Sequence, residues 1–190
     1  MRTKNIVLIG AAFAIGFLLT KLGKRQQADI THLIEKAIYK GFAEIKNSKL
    51  AVQNSKSTNI KIFAQRMIDD HVAMNQKITE ITRSKNIPTP TIDNYIDSGE
   101  PYLLNPASDE FFDEDYVDYQ LTAHNDLVKL FKKIRDFGDP EIQVFFTHAL
   151  EQLGHHLRMA QDLADTFHTN NIPTSPLKNT DFVEEPNYKV

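Results

Sequence analysis

The chain reads as an all-α protein, an antiparallel four-helix bundle with a long crossover between helices two and three and an apolar helix at its amino terminus. Three observations predict this. Four stretches place apolar residues at alternating steps of three and four, the spacing that lines one face of a helix. The breaks between them run short, long and short, which makes successive helices antiparallel and lets one connection return along the bundle. No stretch shows a strand-like alternation that survives comparison with the helical pattern.

Composition agrees and excludes several classes of function. The 190 residues suit one domain with a sizeable core; only 7 are glycine, none is tryptophan or cysteine, and a quarter are charged. A net charge of -3, well mixed along the chain, leaves no basic face for nucleic acid. Without cysteine there is no disulfide, thiolate metal site or thiol nucleophile. No phosphate-binding glycine loop and no nucleophile elbow occurs either.

Residues 1–25 read as a signal peptide or membrane anchor. Arg2 and Lys4 precede an apolar run from Ile6 to Leu19, and Lys21, Lys24 and Arg25 follow it. The run is shorter than the roughly 20 residues that span a bilayer, although flanking lysines can snorkel and extend it. Its small-x-small site Ala12-Phe13-Ala14 lies too early for efficient cleavage, which favours an uncleaved anchor. Positive charge flanks both ends about equally, so orientation stays open.

The bundle domain is expected over 28–170. Its first helix, from Asp29 to about Ser55, carries Ile34, Ala37, Gly41, Glu44, Ser48 and Ala51 on one seam. The polar stretch Asn54 to Asn59 breaks it. Helix two, running to about Asn86, has the seam Ile60, Ala64, Met67, His71, Met74, Ile78 and Ile81. Pro88, Pro90, Gly99, Pro101 and Pro106 then forbid a continuous helix, so 87–108 is the crossover, with room for a helical turn around Ile92 to Ile96. Helix three, from near Asp109, has a central row of Val117, Leu121, His124, Val128 and Phe131. Asp139 caps and Pro140 begins helix four, whose seam is Ile142, Phe146, Ala149, Leu153, His156, Ala160, Leu163 and Phe167. Residues 171–190, with three prolines and no periodicity, read as a mobile tail.

Each seam thus contains one ionisable residue, and counting places all four at one height. Glu44 lies 12 residues before Lys56 and His71 lies 15 after it; His124 lies 14 before Gly138 and His156 lies 18 after it. At about 1.5 Å rise per residue these mismatches are about one helical turn or less. Glu44, His71, His124 and His156 form a reasonable ligand set for one divalent metal, with zinc, iron and copper all compatible. Asp70 is placed to orient an imidazole from behind. The alternative is a buried hydrogen-bond network in which each histidine donates to Glu44, to a hydroxyl or to a backbone carbonyl. His32, His148, His155 and His168 lie off the seams or toward helix ends and read as solvated.

With these residues assembled, the chain resembles a bacterial envelope family, domain of unknown function 4142, grouped with ferritin-like folds. The resemblance covers roughly Ala28 to Leu163. It rests on Phe63-Ala64-Gln65-Arg66-Met67-Ile68-Asp69-Asp70-His71, on Tyr116-Val117-Asp118 with His124 downstream, and on Leu150, Leu153, His156 and Leu157. The family also carries a glutamate at the position of Glu44, whereas Glu151 stands where it usually has proline. The resemblance implies an exported or membrane-attached ferritin-like bundle on the outer side of the bacterial inner membrane, and no established activity.

Ferritin-type di-iron chemistry needs Glu-x-x-His pairs on two helices. Here Ile68, Leu121 and Leu153 stand three residues before the seam histidines, so that chemistry is disfavoured. The expectation is an envelope-associated binding or stress-related accessory module whose Glu/His cluster holds one divalent metal or serves as structure. The competing class is a mononuclear metal-dependent oxidoreductase acting on a small oxidant such as peroxide. Membrane attachment through the first segment is the one partner the sequence suggests; it names no protein partner.

Overall fold

A computed structural model describes the backbone of residues 4–97, 104 and 111–169, and the side chains of 27–94, 104 and 111–167. All regular structure among the described residues is helical: α1 (Lys4–Asn54), α2 (Thr58–Ser84), α3 (Ile92–Asp97), α4 (Phe112–Phe137) and α5 (Pro140–Thr169). The apolar amino-terminal run is continuous in backbone with α1 rather than a separate helix. Its side chains, and the tail at 171–190, lie outside the described residues, as do the anchor and signal-peptide expectations that depend on them. Among the described residues no helix is long and apolar enough to cross a membrane.

The helix ends follow from local chemistry. Between α1 and α2 the Ser57 hydroxyl accepts the Ile60 amide at 3.4 Å as an N-cap, and Ser55 Oγ accepts the Ser57 amide at 3.0 Å. At the end of α2 Asn86 adopts φ 55°, a left-handed conformation that asparagine tolerates better than most residues. This lets Ile87 N reach back to Thr82 O at 2.9 Å and sends the Ile87 side chain into the core. Asp139 caps α5 by accepting the Glu141 and Ile142 amides at 3.0 and 3.2 Å. Lys85 bridges Asp139 and Glu141 at 2.9 and 2.8 Å, tying the end of α2 to the start of α5.

In the packing, α1 neighbours α2 and α4, while α5 neighbours α4 and α2. Two apolar clusters fill the interior. One joins Ile34 and Ile38 of α1, Met74 and Ile78 of α2, Leu127 and Phe131 of α4, and Phe146 and Leu153 of α5. The other joins Ala51, Phe63, Met67, Tyr116, Val117, Ala160 and Leu163. Every long helix passes from one cluster to the other, so the first residues of α2 and α4 share an end of the molecule. The end of α2 and the start of α4 therefore lie toward opposite ends of the molecule. Leu104 N, in the segment between them, donates to the buried Asn47 Oδ1 at 2.9 Å and fastens that segment to α1.

Between the clusters lies a polar layer: Glu44, Asn47, Ser48, Asp70, His71, Asn75, Gln120, His124 and His156 are all buried. Small residues admit it. A Cβ on Gly41 would run into the Asn75 side-chain amide, which donates to Ile38 O at 3.3 Å, so glycine here is a requirement of space between α1 and α2. Ser48 Oγ and the Tyr116 hydroxyl hydrogen-bond at 2.9 Å between α1 and α4.

The seams predicted for the first and second helices are buried throughout, and so is the last seam through Leu163. In α4 the buried face differs in part from the predicted row. Val117, His124 and Phe131 of that row are buried, but Leu121 and Val128 are only half-buried and Gln120 is buried instead. A polar group, Gln120, takes an interior place that hydropathy assigns to leucine.

Candidate metal centre

Each histidine of the polar layer comes from a different helix: His71 from α2, His124 from α4 and His156 from α5, and they are 2%, 0% and 1% exposed. One ring nitrogen from each lies within 4.8 Å of the other two. His124 Nε2 stands 3.3 Å from His71 Nε2 and 3.1 Å from His156 Nδ1. The rings meet edge to face or tilted, with centroids 5.1 to 5.6 Å apart, so nitrogens rather than ring faces point at the common centre.

The proton positions follow from the partners behind two of the rings. Asp70 Oδ2 lies 2.8 Å from His156 Nε2 and 2.7 Å from Arg66 Nε. Burial pushes the Asp70 carboxyl up, but the His156 hydrogen bond and the Arg66 guanidinium more than offset it, so the group stays ionised and can only accept. His156 Nε2 therefore carries a hydrogen, and its Nδ1 is a bare lone pair. His124 Nδ1 faces the Gln120 backbone carbonyl at 3.0 Å and must donate to it, which leaves Nε2 bare. Two lone pairs thus confront each other at 3.1 Å.

Electrostatics keep the trio neutral. Burial lowers the pKa of all three imidazoles; the charges of His124 and His156 add to this for His71, and that of His156 adds to it for His124, which falls to about 3. For His156, Asp70 pulls in the opposite direction without reversing the shift. Neutral imidazole is the form that ligates metal. With metal–nitrogen bonds of about 2.0–2.1 Å, tetrahedral ligands sit about 3.3 Å apart, close to the two separations from His124 Nε2.

Glu44, the fourth residue expected at the site, lies at the same level but outside the group of mutually close ligand atoms. Its Oε2 accepts from Gln120 Nε2 at 2.8 Å, while its Oε1 has no hydrogen-bond partner. Burial raises its carboxyl to about 7, against hydrogen bonds from Gln120 and Tyr119 and the charge of Lys40. Asp70 stands behind an imidazole, as its place in the sequence suggests. His32, His148 and His155 are exposed.

Two contributors escaped the sequence reading. Arg66 stands four residues before Asp70, a spacing at which helix neighbours pair. Gln120, four residues before His124, supplies the carbonyl that orients that ring and the amide that holds Glu44. The four-residue offset was the available signal in both cases.

An all-helical bundle with three neutral imidazoles converging in its core defines a class of helical protein with a potential metal-holding interior. The chain belongs to the domain of unknown function DUF4142 family, whose model matches residues 21–163. The resemblance carried by the Phe63–His71 segment is thereby borne out. No curated protein and no solved structure matches the chain.

Proposed function

We propose that this protein holds one divalent transition metal, zinc, iron or copper, on His71, His124 and His156 within a ferritin-like bundle of the bacterial cell envelope. The observation that carries the reading is the pair of bare nitrogens, His124 Nε2 and His156 Nδ1, held 3.1 Å apart. His71 Nε2 stands 3.3 Å from His124 Nε2 and can donate to it, whereas His156 Nδ1 has only that bare nitrogen before it; a buried acceptor without a donor costs about 1–3 kcal/mol, and a cation there removes that penalty. Asp70 behind His156 and the Gln120 carbonyl behind His124 are the partners that metal-bound imidazoles usually have. Three ligands leave a further coordination position. The near-complete burial of the imidazoles favours a retained metal, in an accessory or stress-related role, over turnover of a small oxidant such as peroxide.

Membrane attachment through the amino-terminal segment, on the exported side of the inner membrane, belongs to the same proposal. It is supported by the apolar run from Ile6 to Leu19 between clusters of positive charge. Cell fractionation tests it: recovery with the soluble cytoplasm would end that part of the reading.

Metal analysis of protein purified without an affinity tag tests the site. The expected result is one equivalent of metal per chain, or one equivalent taken up from zinc, iron or copper, and its loss in H71A and H124A. A folded wild-type chain that takes up none of the three metals overturns the proposal.

A further inference from the structure

Beside the imidazole trio, α1 and α4 leave a groove of about 620 Å³ open to solvent. Glu44 contributes to its floor although the residue is 1% exposed, and the carboxyl oxygen Oε1 is buried without a hydrogen-bond partner. A buried acceptor in that condition costs about 1–3 kcal/mol unless a donor reaches it.

The rest of the lining indicates what kind of donor fits. Four carboxylates, Glu44, Asp115, Asp118 and Asp126, face two ammonium groups, Lys36 and Lys40. Lys40 is engaged with Asp126 at 3.6 Å, and the carboxyl groups of the lining outnumber its ammonium groups. Tyr39, Tyr119 and Leu127 give the walls apolar and aromatic surface, which suits a ligand with a hydrocarbon body. A bare metal ion fits poorly. Among the described residues the only ligand atoms grouped closely enough to hold an ion are the three imidazoles, so these carboxylates do not form a cage.

We propose that the groove is a binding site for a small aliphatic primary amine, whose ammonium donates to Glu44 Oε1 while its carbon chain lies along Tyr39 and Tyr119. The ammonium supplies the missing donor and pairs with the one buried carboxylate of the groove. Asp118 at the same groove offers a second anion to a diamine. The site is separate from the metal proposal, and neither depends on the other.

The test is calorimetric titration of metal-free full-length protein with 1,4-diaminobutane and butylamine, with butan-1-ol and tetramethylammonium as controls. Saturable binding of the primary amines is expected, at least tenfold weaker in E44Q. Butan-1-ol lacks the charge and tetramethylammonium lacks the donor, so neither should compete. The A123L variant fills the groove from α4 while leaving the Glu44 carboxyl in the chain and should also abolish binding; it decides the matter if E44Q does not fold by circular dichroism. Undiminished affinity in folded E44Q or in A123L, equal competition by butan-1-ol, or no saturation by either amine overturns the proposal.

Discussion

His156 donates from Nε2 to Asp70 Oδ2 at 2.8 Å, and this one bond dictates which nitrogen of the ring faces the interior. Because Asp70 is ionised, the imidazole must present a bare Nδ1 to His124. Asp70 is itself held by Arg66 at 2.7 Å, so orientation passes from a half-exposed arginine to the centre of the core.

Replacing Asp70 with asparagine should therefore weaken metal binding by about 10–100-fold while leaving one site per chain. An amide can donate as well as accept, so it no longer compels one tautomer of His156. Competition titration against a chromophoric chelator measures the affinity, and an unchanged value would sink the orienting role.

Acid should destabilise the metal-free protein. Each imidazole has a folded-state pKa below its ordinary value of 6.5, so from about 6.5 downward the unfolded chain binds protons that the folded chain refuses. The stability they contribute is present above that value and is lost as pH falls, continuing to about 3 for His124. Glu44 works in the other direction between 4.5 and about 7, since its folded form keeps the proton. Three imidazoles against one carboxyl leave a net loss toward acid. Each buried imidazole contributes at most about 1.4 kcal/mol per pH unit, and Glu44 offsets one of the three. Urea midpoints taken from pH ~7 down to pH ~5 should fall steadily, and a flat profile would contradict the buried neutral trio.

The Gly41→Ala substitution should destabilise by about 1–3 kcal/mol, the usual cost of overpacking a close helix contact. Alanine is the better helix former, so propensity alone predicts a gain. A loss in chemical denaturation would show that the Asn75 amide needs the space.

Ser48 and Tyr116 offer a separable test of the polar layer. Each hydroxyl is the other's partner at 2.9 Å, and both residues are buried. S48A and Y116F should each cost about 1–3 kcal/mol by stranding a polar atom. The double variant should cost less than the sum of the two, and strict additivity in the cycle would show that the hydroxyls do not interact.

Much of this arrangement was legible in the sequence for one reason: helix periodicity reports a face, and rise per residue reports a height. The seam through Ile60, Met67, His71, Met74 and Ile81 is buried along its whole length. Counting from the turns placed Glu44, His71, His124 and His156 in one layer, and the two apolar clusters meet there. In the α4 row Val117, His124 and Phe131 are buried as expected, but Gln120 is buried where Leu121 was expected, because hydropathy ranks Leu121 above Gln120 and does not register a polar group held in place by a neighbour's carboxyl.

What only tertiary structure decided is direction within the layer. Spacing along a helix does not reveal that His124 points at both other imidazoles while Glu44, at the same height, lies outside the trio and borders a groove. Nor does it reveal which nitrogen of each ring is bare, since that depends on the Gln120 carbonyl and the Asp70 carboxylate on the far side of the imidazoles. Sequence determined the faces and heights because those follow from the chain's own helical geometry; rotamers and hydrogen-bond partners across helices decided the chemistry, because they exist only once the helices have packed.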